Sequence, residues 1–263
     1  MFCIVIPNYN NAVWLDRLFE SIYNQTYNGD YDIIFVDDMS TDNSLEIARK
    51  WSGIFESKQV ELWIMKNKCK RWNGGSRNAA VSSGWCFHDY TLFIDSDDCF
   101  ADKYCLAAIA NTIEENLYPD LVRLSYYFCK DGNEFLVDLG GQTTVDQIVN
   151  DENVACWTKC IKTKKLVPFP ENTLMEDVVQ HIKQMDVIDT IAGCHKGIIK
   201  WNRNNSNSCS NNTELQNGKW RSSLYRYYAD LLDIRVNRPE CQAQLNKRLA
   251  ATLDNIHNDR FLQ

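Results

Sequence analysis

The 263-residue sequence has no Cys-x-x-Cys pair, no apolar run approaching the roughly 18 residues of a membrane span, and no excess of positive charge. Each absence excludes something. The eleven cysteines are odd in number and scattered, which fits neither a zinc site nor a disulfide framework. Most stand in apolar or helical surroundings, where a reduced Cys acts as a small hydrophobe. Met1-Phe2-Cys3-Ile4-Val5-Ile6-Pro7 lacks the positive start of a signal peptide and reads as a strand. A net charge of −7 argues against a nucleic-acid partner, whose phosphates are met by Lys and Arg. The expectation is a soluble, reducing, cytoplasmic protein. His88, His181, His195 and His257 are isolated and read as surface or structural residues. Asn204-Asn205-Ser206 and Asn211-Asn212-Thr213 match the glycosylation pattern, by chance in such a compartment.

What is present is an alternation of strand and helix. Hydrophobic residues make up 44% of the chain, enough for a sizeable core. Phe2–Ile6, a short continuous apolar run, and Ile33–Val36 read as buried strands, and Val60–Met65, Thr91–Ile94 and Leu121–Phe128 read as three further strands. Between them, apolar residues recur at helical spacing: Trp14 to Ile22, a stretch through Ile47 and Ala48, Asn73–Ser83, and Leu106 to Ile113. This pattern predicts a mostly parallel sheet covered on both faces. After residue 130 it loosens. Trp157–Lys165, Glu176–Met185 and Ile198–Asn205 follow, then an Asn/Ser-rich loop at Asn202–Asn212 and two helical stretches separated near Pro239.

In such sheets ligands bind beyond the carboxyl ends of the strands. Three ends carry polar groups: Pro7-Asn8-Tyr9-Asn10, Asp37-Asp38 and Asp95-Ser96-Asp97-Asp98. Three carboxylates in four residues repel one another unless a cation sits among them, and hard oxygen donors suit Mg²⁺ or Mn²⁺. The competing reading is an acidic turn capping the next helix. Asp38 or Asp37 suits a base or a ribose; Tyr9 suits stacking on a planar base, or is an ordinary turn aromatic. Asn73-Gly74-Gly75-Ser76-Arg77-Asn78 offers backbone N–H groups and an arginine fork to an anion. Glu176-Asp177 suits a general base, against the plainer role of acids in a first helical turn.

Taken in order, Val5–Asn10, Phe35–Asp42, Asn73–Ala80 and Phe93–Asp98 resemble family 2 glycosyltransferases of the GT-A fold, with Glu176-Asp177 and Trp201–Ser208 fitting the later part. The resemblance covers about residues 2–208. It implies an α/β, Rossmann-like sheet flanked by helices, and inverting transfer of a sugar from a nucleotide-diphosphate donor, UDP ahead of GDP or dTDP, to a hydroxyl of a glycan or lipid-linked acceptor. Mn²⁺ or Mg²⁺ would be held by Asp97 with Asp95. Pro7, Tyr9, Asn10, Asp38, Arg77, Asp95 and Ser96 would face the nucleotide. Asp177 would be the base with Glu176 beside it. Trp157 and Lys159 would line the acceptor side, and Arg203 and Ser206 would belong to a closing loop. Met39 and Ala80 stand where the family often has glycine, and no Gln-x-x-Arg-Trp motif is present. The division implied is 1–212 as the transferase domain, 1–100 for the donor and 101–212 for the acceptor, with 213–263 a helical extension. Lys219, Trp220, Arg221, Tyr225 and Arg226 offer that extension a face for a membrane surface, an acidic acceptor or a second copy; packing onto the main domain is the ordinary explanation. Two alternatives stand beside this one. A sugar nucleotidyltransferase would carry a glycine-rich loop after the first strand, where this chain has Pro7-Asn8-Tyr9-Asn10. A non-catalytic module would have no need of Asp97 and Asp177.

Overall fold

A computed structural model describes residues 1–69, 71–171, 173, 175–206, 208 and 220–261. Its first half follows the expected alternation: β1 (Phe2–Asn8), α1 (Ala12–Tyr23), β2 (Tyr31–Asp37), α2 (Ser44–Glu56), β3 (Leu62–Lys66), α3 (Trp72–Val81) and β4 (Tyr90–Phe93). β5 (Cys99–Phe100), α4 (Cys105–Glu115), β6 (Leu121–Lys130), β7 (Asn133–Val137), α5 (Val145–Val149), β8 (Lys159–Lys162), α6 (Glu176–Val187), β9 (Ile191–Asn202), α7 (Trp220–Leu232) and α8 (Pro239–Phe261) complete it.

One sheet runs through all of this in the order β3-β2-β1-β4-β8-β6-β9-β5, with β7 paired to β6. Its first four strands are parallel. β8 is antiparallel to both β4 and β6, so parallel pairing does not continue across the middle. β6 and β9 are parallel again, with an irregular register at Ser125. Strand β1 shows why the first half is legible: Phe2, Ile4 and Ile6 join the core on one face, Cys3 and Val5 the core on the other. A strand buried on both faces gives an unbroken apolar run. Helix α1 closes one face with Leu15, Leu18, Phe19 and Ile22, the spacing of a single helical stripe.

The two C-terminal helices do not stand apart. Leu224, Tyr227, Leu231, Ile234, Cys241, Leu245 and Ile256 form a second core with Val179, Ile182 and Met185 of α6. Their apolar stripe is therefore spent inside the molecule. Tyr225 is half-exposed, while Lys219 and the side chains of Trp220 and Arg221 lie outside the described residues, as do Cys209, Asn211 and the 212/213 boundary. The ten described cysteines are all free and eight are buried. No helix among the described residues is long and apolar enough to cross a membrane.

Left-handed backbone gathers where the site was expected. Asn10 (φ 52°), Met39 (φ 67°) and Trp72 (φ 58°) follow the ends of β1, β2 and β3. For a residue with a Cβ this conformation costs about 1–2 kcal/mol, and such strain concentrates at functional sites. Met39→Gly should therefore raise stability by about 1 kcal/mol, since glycine's own entropy cost offsets part of the relief. A shift of the urea midpoint to higher concentration checks it; an unchanged or lower midpoint contradicts it.

Candidate active site

The acidic turn after β4 does not present its carboxylates as one cluster. Asp95 turns towards α3 and accepts from Arg77 Nη2 at 2.8 Å. Asp97 accepts through Oδ2 from Asn205 Nδ2 at 2.7 Å. Asp98 is buried and accepts from the Asn202 backbone N–H at 2.8 Å, with its second oxygen unpartnered. Burial, then the charges of Asp97 and Asp95, pushes the Asp98 carboxyl well above the usual range. Burial and then Asp95 push Asp97 up as well, and the Asn205 amide opposes this. Asp98 is thus a structural acid that fixes the start of the segment after β9.

Among the described residues no three His, Cys, Asp or Glu side chains converge on one point that could hold a metal ion. Asp95 and Asp97 supply two sets of hard oxygens. Donors of this kind would suit Mg²⁺ or Mn²⁺, with Asp95 and Asp97 as the residues that would hold it.

Arg77 is the centre of the site. Its side chain is 1% exposed, yet it meets three carboxylates: Asp95 at 2.8 Å, Glu176 at 2.8 Å and Asp177 at 3.2 Å. A planar fork of donors can do this where a point charge cannot. Burial lowers its affinity for a proton, but the surrounding negative charges prevail and its pKa lies well above the ordinary value. Burial pushes Glu176 up to about 8, with Asp177 adding to the shift and Arg77 opposing it. Burial raises Asp177 too, opposed by Arg77 and by the Cys156 thiol, which donates to it.

Helix α3 splints the segment that carries Glu176 and Asp177. Asn78 donates to the Phe169 carbonyl and accepts from the Phe169 N–H, both at 2.9 Å. The Phe169 ring then lies 5.2 Å from the Arg77 guanidinium and edge-on to Phe93 of β4. Arg71 pairs with Glu171 at 2.5 Å. Gly74 must be glycine: a Cβ there would sit 2.3 Å from the Pro170 carbonyl oxygen. The Gly-Gly pair thus serves the close approach of the helix to the loop that carries Pro170 and Glu171.

The residues expected to face a nucleotide lie mainly at the ends of β1 and β2. Pro7 is buried and Tyr9 is half-exposed. Asn10 donates its N–H to Ser40 Oγ and accepts from the Thr41 N–H, tying the two strand ends together. Asp37 is fully buried and accepts from Asn8 and the Ser40 N–H. Asp38 accepts from Asn67 Nδ2 (2.9 Å), Arg71 N–H (2.7 Å) and Trp72 N–H (2.9 Å), so it shapes the loop that enters α3. Ser96 accepts from Asn11 Nδ2 at 2.8 Å.

Two expected acceptor-side residues are placed differently. Trp157 is only 4% exposed, packed edge-on against Tyr126 and against Trp201. Lys159 is fully buried and donates to the Val154 and Ala155 carbonyls. Burial, then the charge of Arg123, lowers its pKa to about 7. Both underlie the site instead of lining an open face, because β8 runs through the middle of the sheet. Arg203 stacks 4.6 Å over Trp201, and Ser206 is exposed. His181 is buried, with Nε2 on the Ile148 carbonyl, a structural role. The sequence reading assigned no role in the site to Cys156, Phe169 or Asn205, which contact the acids or their arginine, or to Asn11, which contacts Ser96 and Asn205.

This fold and arrangement find matches among known proteins. The sequence model of Glycosyl transferase family 2 matches residues 3–160, more than half of the chain, and the chain belongs to that family. Residues 1–349 of S. aureus TarS, solved with UDP-GlcNAc, superpose with a TM-score of 0.73 at 21% identity, covering 96% of this chain and 71% of that one. The mannosyltransferase PcManGT from Pyrobaculum calidifontis, solved with GDP-Man and Mn²⁺, gives 0.61 at 15% identity, covering 94% and 68%. These likenesses establish a GT-A fold. A processive diacylglycerol beta-glycosyltransferase of Mycoplasma pneumoniae is 30% identical over 52% of this chain, and a poly(ribitol-phosphate) beta-glucosyltransferase of Bacillus spizizenii 38% identical over 39%. The matches span 39% and 16% of those two relatives' own lengths.

Proposed function

We propose that the protein is an inverting glycosyltransferase that moves a sugar from a nucleotide-diphosphate donor, UDP first, to a hydroxyl of a surface glycan or glycolipid acceptor. The observation that carries this reading is the Arg77 fork. It joins Asp95 of the acidic turn to Glu176 and Asp177 at the start of α6, so donor-side and acceptor-side acids share one buried cation. The UDP-GlcNAc complex of TarS favours UDP, and the two relatives' polyol-phosphate and diacylglycerol acceptors favour surface polymers and lipids.

Asp177 is the base that takes the acceptor hydroxyl proton as the anomeric bond forms. Burial, with the charge of Asp177, pushes the Glu176 carboxyl beside it up to about 8. Transfer in one displacement inverts the anomeric centre, so base and leaving group stand on opposite sides of the sugar. Asp97 and Asp95 would hold Mn²⁺ or Mg²⁺, which supplies positive charge to the leaving diphosphate.

The test is calorimetric titration with UDP, GDP and dTDP, each with Mn²⁺ and with EDTA. One nucleotide should bind tightly with Mn²⁺ only, and Asp97→Ala should weaken that binding by tenfold or more, about 1.4 kcal/mol. An unchanged affinity for UDP with Mn²⁺ in Asp97→Ala removes the metal assignment. No binding of any nucleotide by the folded protein favours a non-catalytic module.

A further inference from the structure

We propose that Asn205 is the positioning residue of the metal site, an outer partner that fixes how Asp97 offers its oxygens. The inference rests on the metal-assisted reading above. Asn205 is 4% exposed, and its amide donates to Asp97 Oδ2 at 2.7 Å. An amide on one oxygen fixes the plane of the carboxylate, and with it the direction in which its remaining lone pairs could face a cation.

The amide belongs to a ring of contacts. Asn205 Nδ2 also lies 3.2 Å from Asn11 Oδ1, and Asn11 Nδ2 donates to Ser96 Oγ at 2.8 Å. Ser96 is the residue between the two candidate ligands, so the ring closes on the turn it orients. Asn11 comes from the start of α1 and Asn205 from beyond β9, so two distant segments clasp the turn.

The chain leading to Asn205 is itself anchored. The Asn202 N–H donates to Asp98, the Arg203 N–H to the Cys129 carbonyl, and the Asn204 N–H to its own neighbour Asn202 Oδ1. Asn204 Oδ1 accepts from the Asp131 N–H. The amide therefore arrives at Asp97 on a fixed backbone. A hydrogen bond to a charged oxygen is about twice as strong as a neutral one, and it stops the carboxylate turning about its side-chain axis. It also offsets the repulsion that Asp97 feels from Asp95, in the absence of a cation. Outer partners of this kind orient ligands, and their removal typically weakens metal binding by about 10–100-fold.

The same segment carries Arg203 and Ser206, so the Asn205 contact ties that stretch to the occupancy of the acidic turn.

The test measures Mn²⁺ uptake directly, from the loss of the free-ion paramagnetic resonance signal, at saturating UDP. Two variants are compared with the wild type. Asn205→Ala deletes the amide, and Asn205→Leu keeps its volume but cannot donate. Both should bind Mn²⁺ about 10–100-fold more weakly, with native melting temperatures and unchanged UDP affinity in EDTA. An unchanged Mn²⁺ affinity in both folded variants overturns the proposal while leaving the metal reading intact. A tighter affinity overturns it too, since Asn205 would then compete with the ion. If the wild type takes up no Mn²⁺ with UDP, the metal reading falls and the role of Asn205 falls with it.

Discussion

Asp177→Asn should keep metal-dependent nucleotide binding and lose transfer by about 10²–10⁴-fold, the range for removing a general base. The amide preserves shape and can still accept from Arg77, so the loss would report proton transfer and not packing. Initial rates with a matched donor and acceptor measure it, beside calorimetry with the nucleotide alone. The pH profile adds a second check. Burial raises the Asp177 carboxyl above its ordinary value of 3.8, so the acid limb of kcat should lie above that pH, where the base becomes ionised. If Asp177→Asn retains transfer and Glu176→Gln loses it, the two acids exchange roles.

Arg77→Met should have the largest effect on stability. It leaves Asp95, Glu176 and Asp177 facing one another with their shared cation gone. Breaking a buried ion pair by deleting one partner costs about 3–5 kcal/mol. The deficit should depend on pH in a definite direction. The folded carboxyl of Glu176, at about 8, stands above its free value of 4.5. A group raised in this way contributes stability that is fully present below 4.5 and is lost as pH rises through 8. Deleting Arg77 raises the buried acids further, so the gap between variant and wild type should be wider at pH 8 than at pH 5. Denaturant unfolding at the two values measures it. A gap independent of pH would mean that Arg77 acts through packing on Phe169 alone. Arg77→Lys should recover little, because a single ammonium cannot reach acids on both sides.

Much of this was legible in the sequence, for identifiable reasons. Strands buried on both faces print as unbroken apolar runs, so β1, β2 and β4 were plain. The polar residues just past them stand at the site because a parallel sheet puts its open ends there. Other features left weaker marks. Strand β5 has two residues, too few for any period, and β7 is exposed along most of its length. Helix α5 did carry a readable sign, the Thr144–Gln147 capping box, ahead of Ile148 and Val149. The direction of β8 could not be read, since direction in a sheet depends on the route of the connection.

Within the site, residue type was legible and orientation was not. Asp95, Asp97 and Asp98 look equivalent as letters, yet one meets an arginine, one an asparagine and one a backbone amide. The family resemblance implied that Trp157 and Lys159 line the acceptor side, and the fold buries both. Arg77 lies a hundred positions from Asp177, and only the folded chain brings them to 3.2 Å.

Strand β5 carries a further implication, for the order in which the molecule assembles. Cys99 pairs with Lys200, and Asp98 is secured by Asn202. The exit of the acidic turn therefore emerges early from the ribosome but gains its partners only about a hundred residues later. Contacts so distant along the chain must repay a large loop-closure entropy, and they form late in folding. The nascent chain can set the parallel strands β1, β2 and β3 in place first, while the acidic turn waits on β9. A polypeptide halted before that strand would hold the polar ends of β1 and β2 without the partner that secures Asp98, so the two halves of the candidate site would be completed at different times.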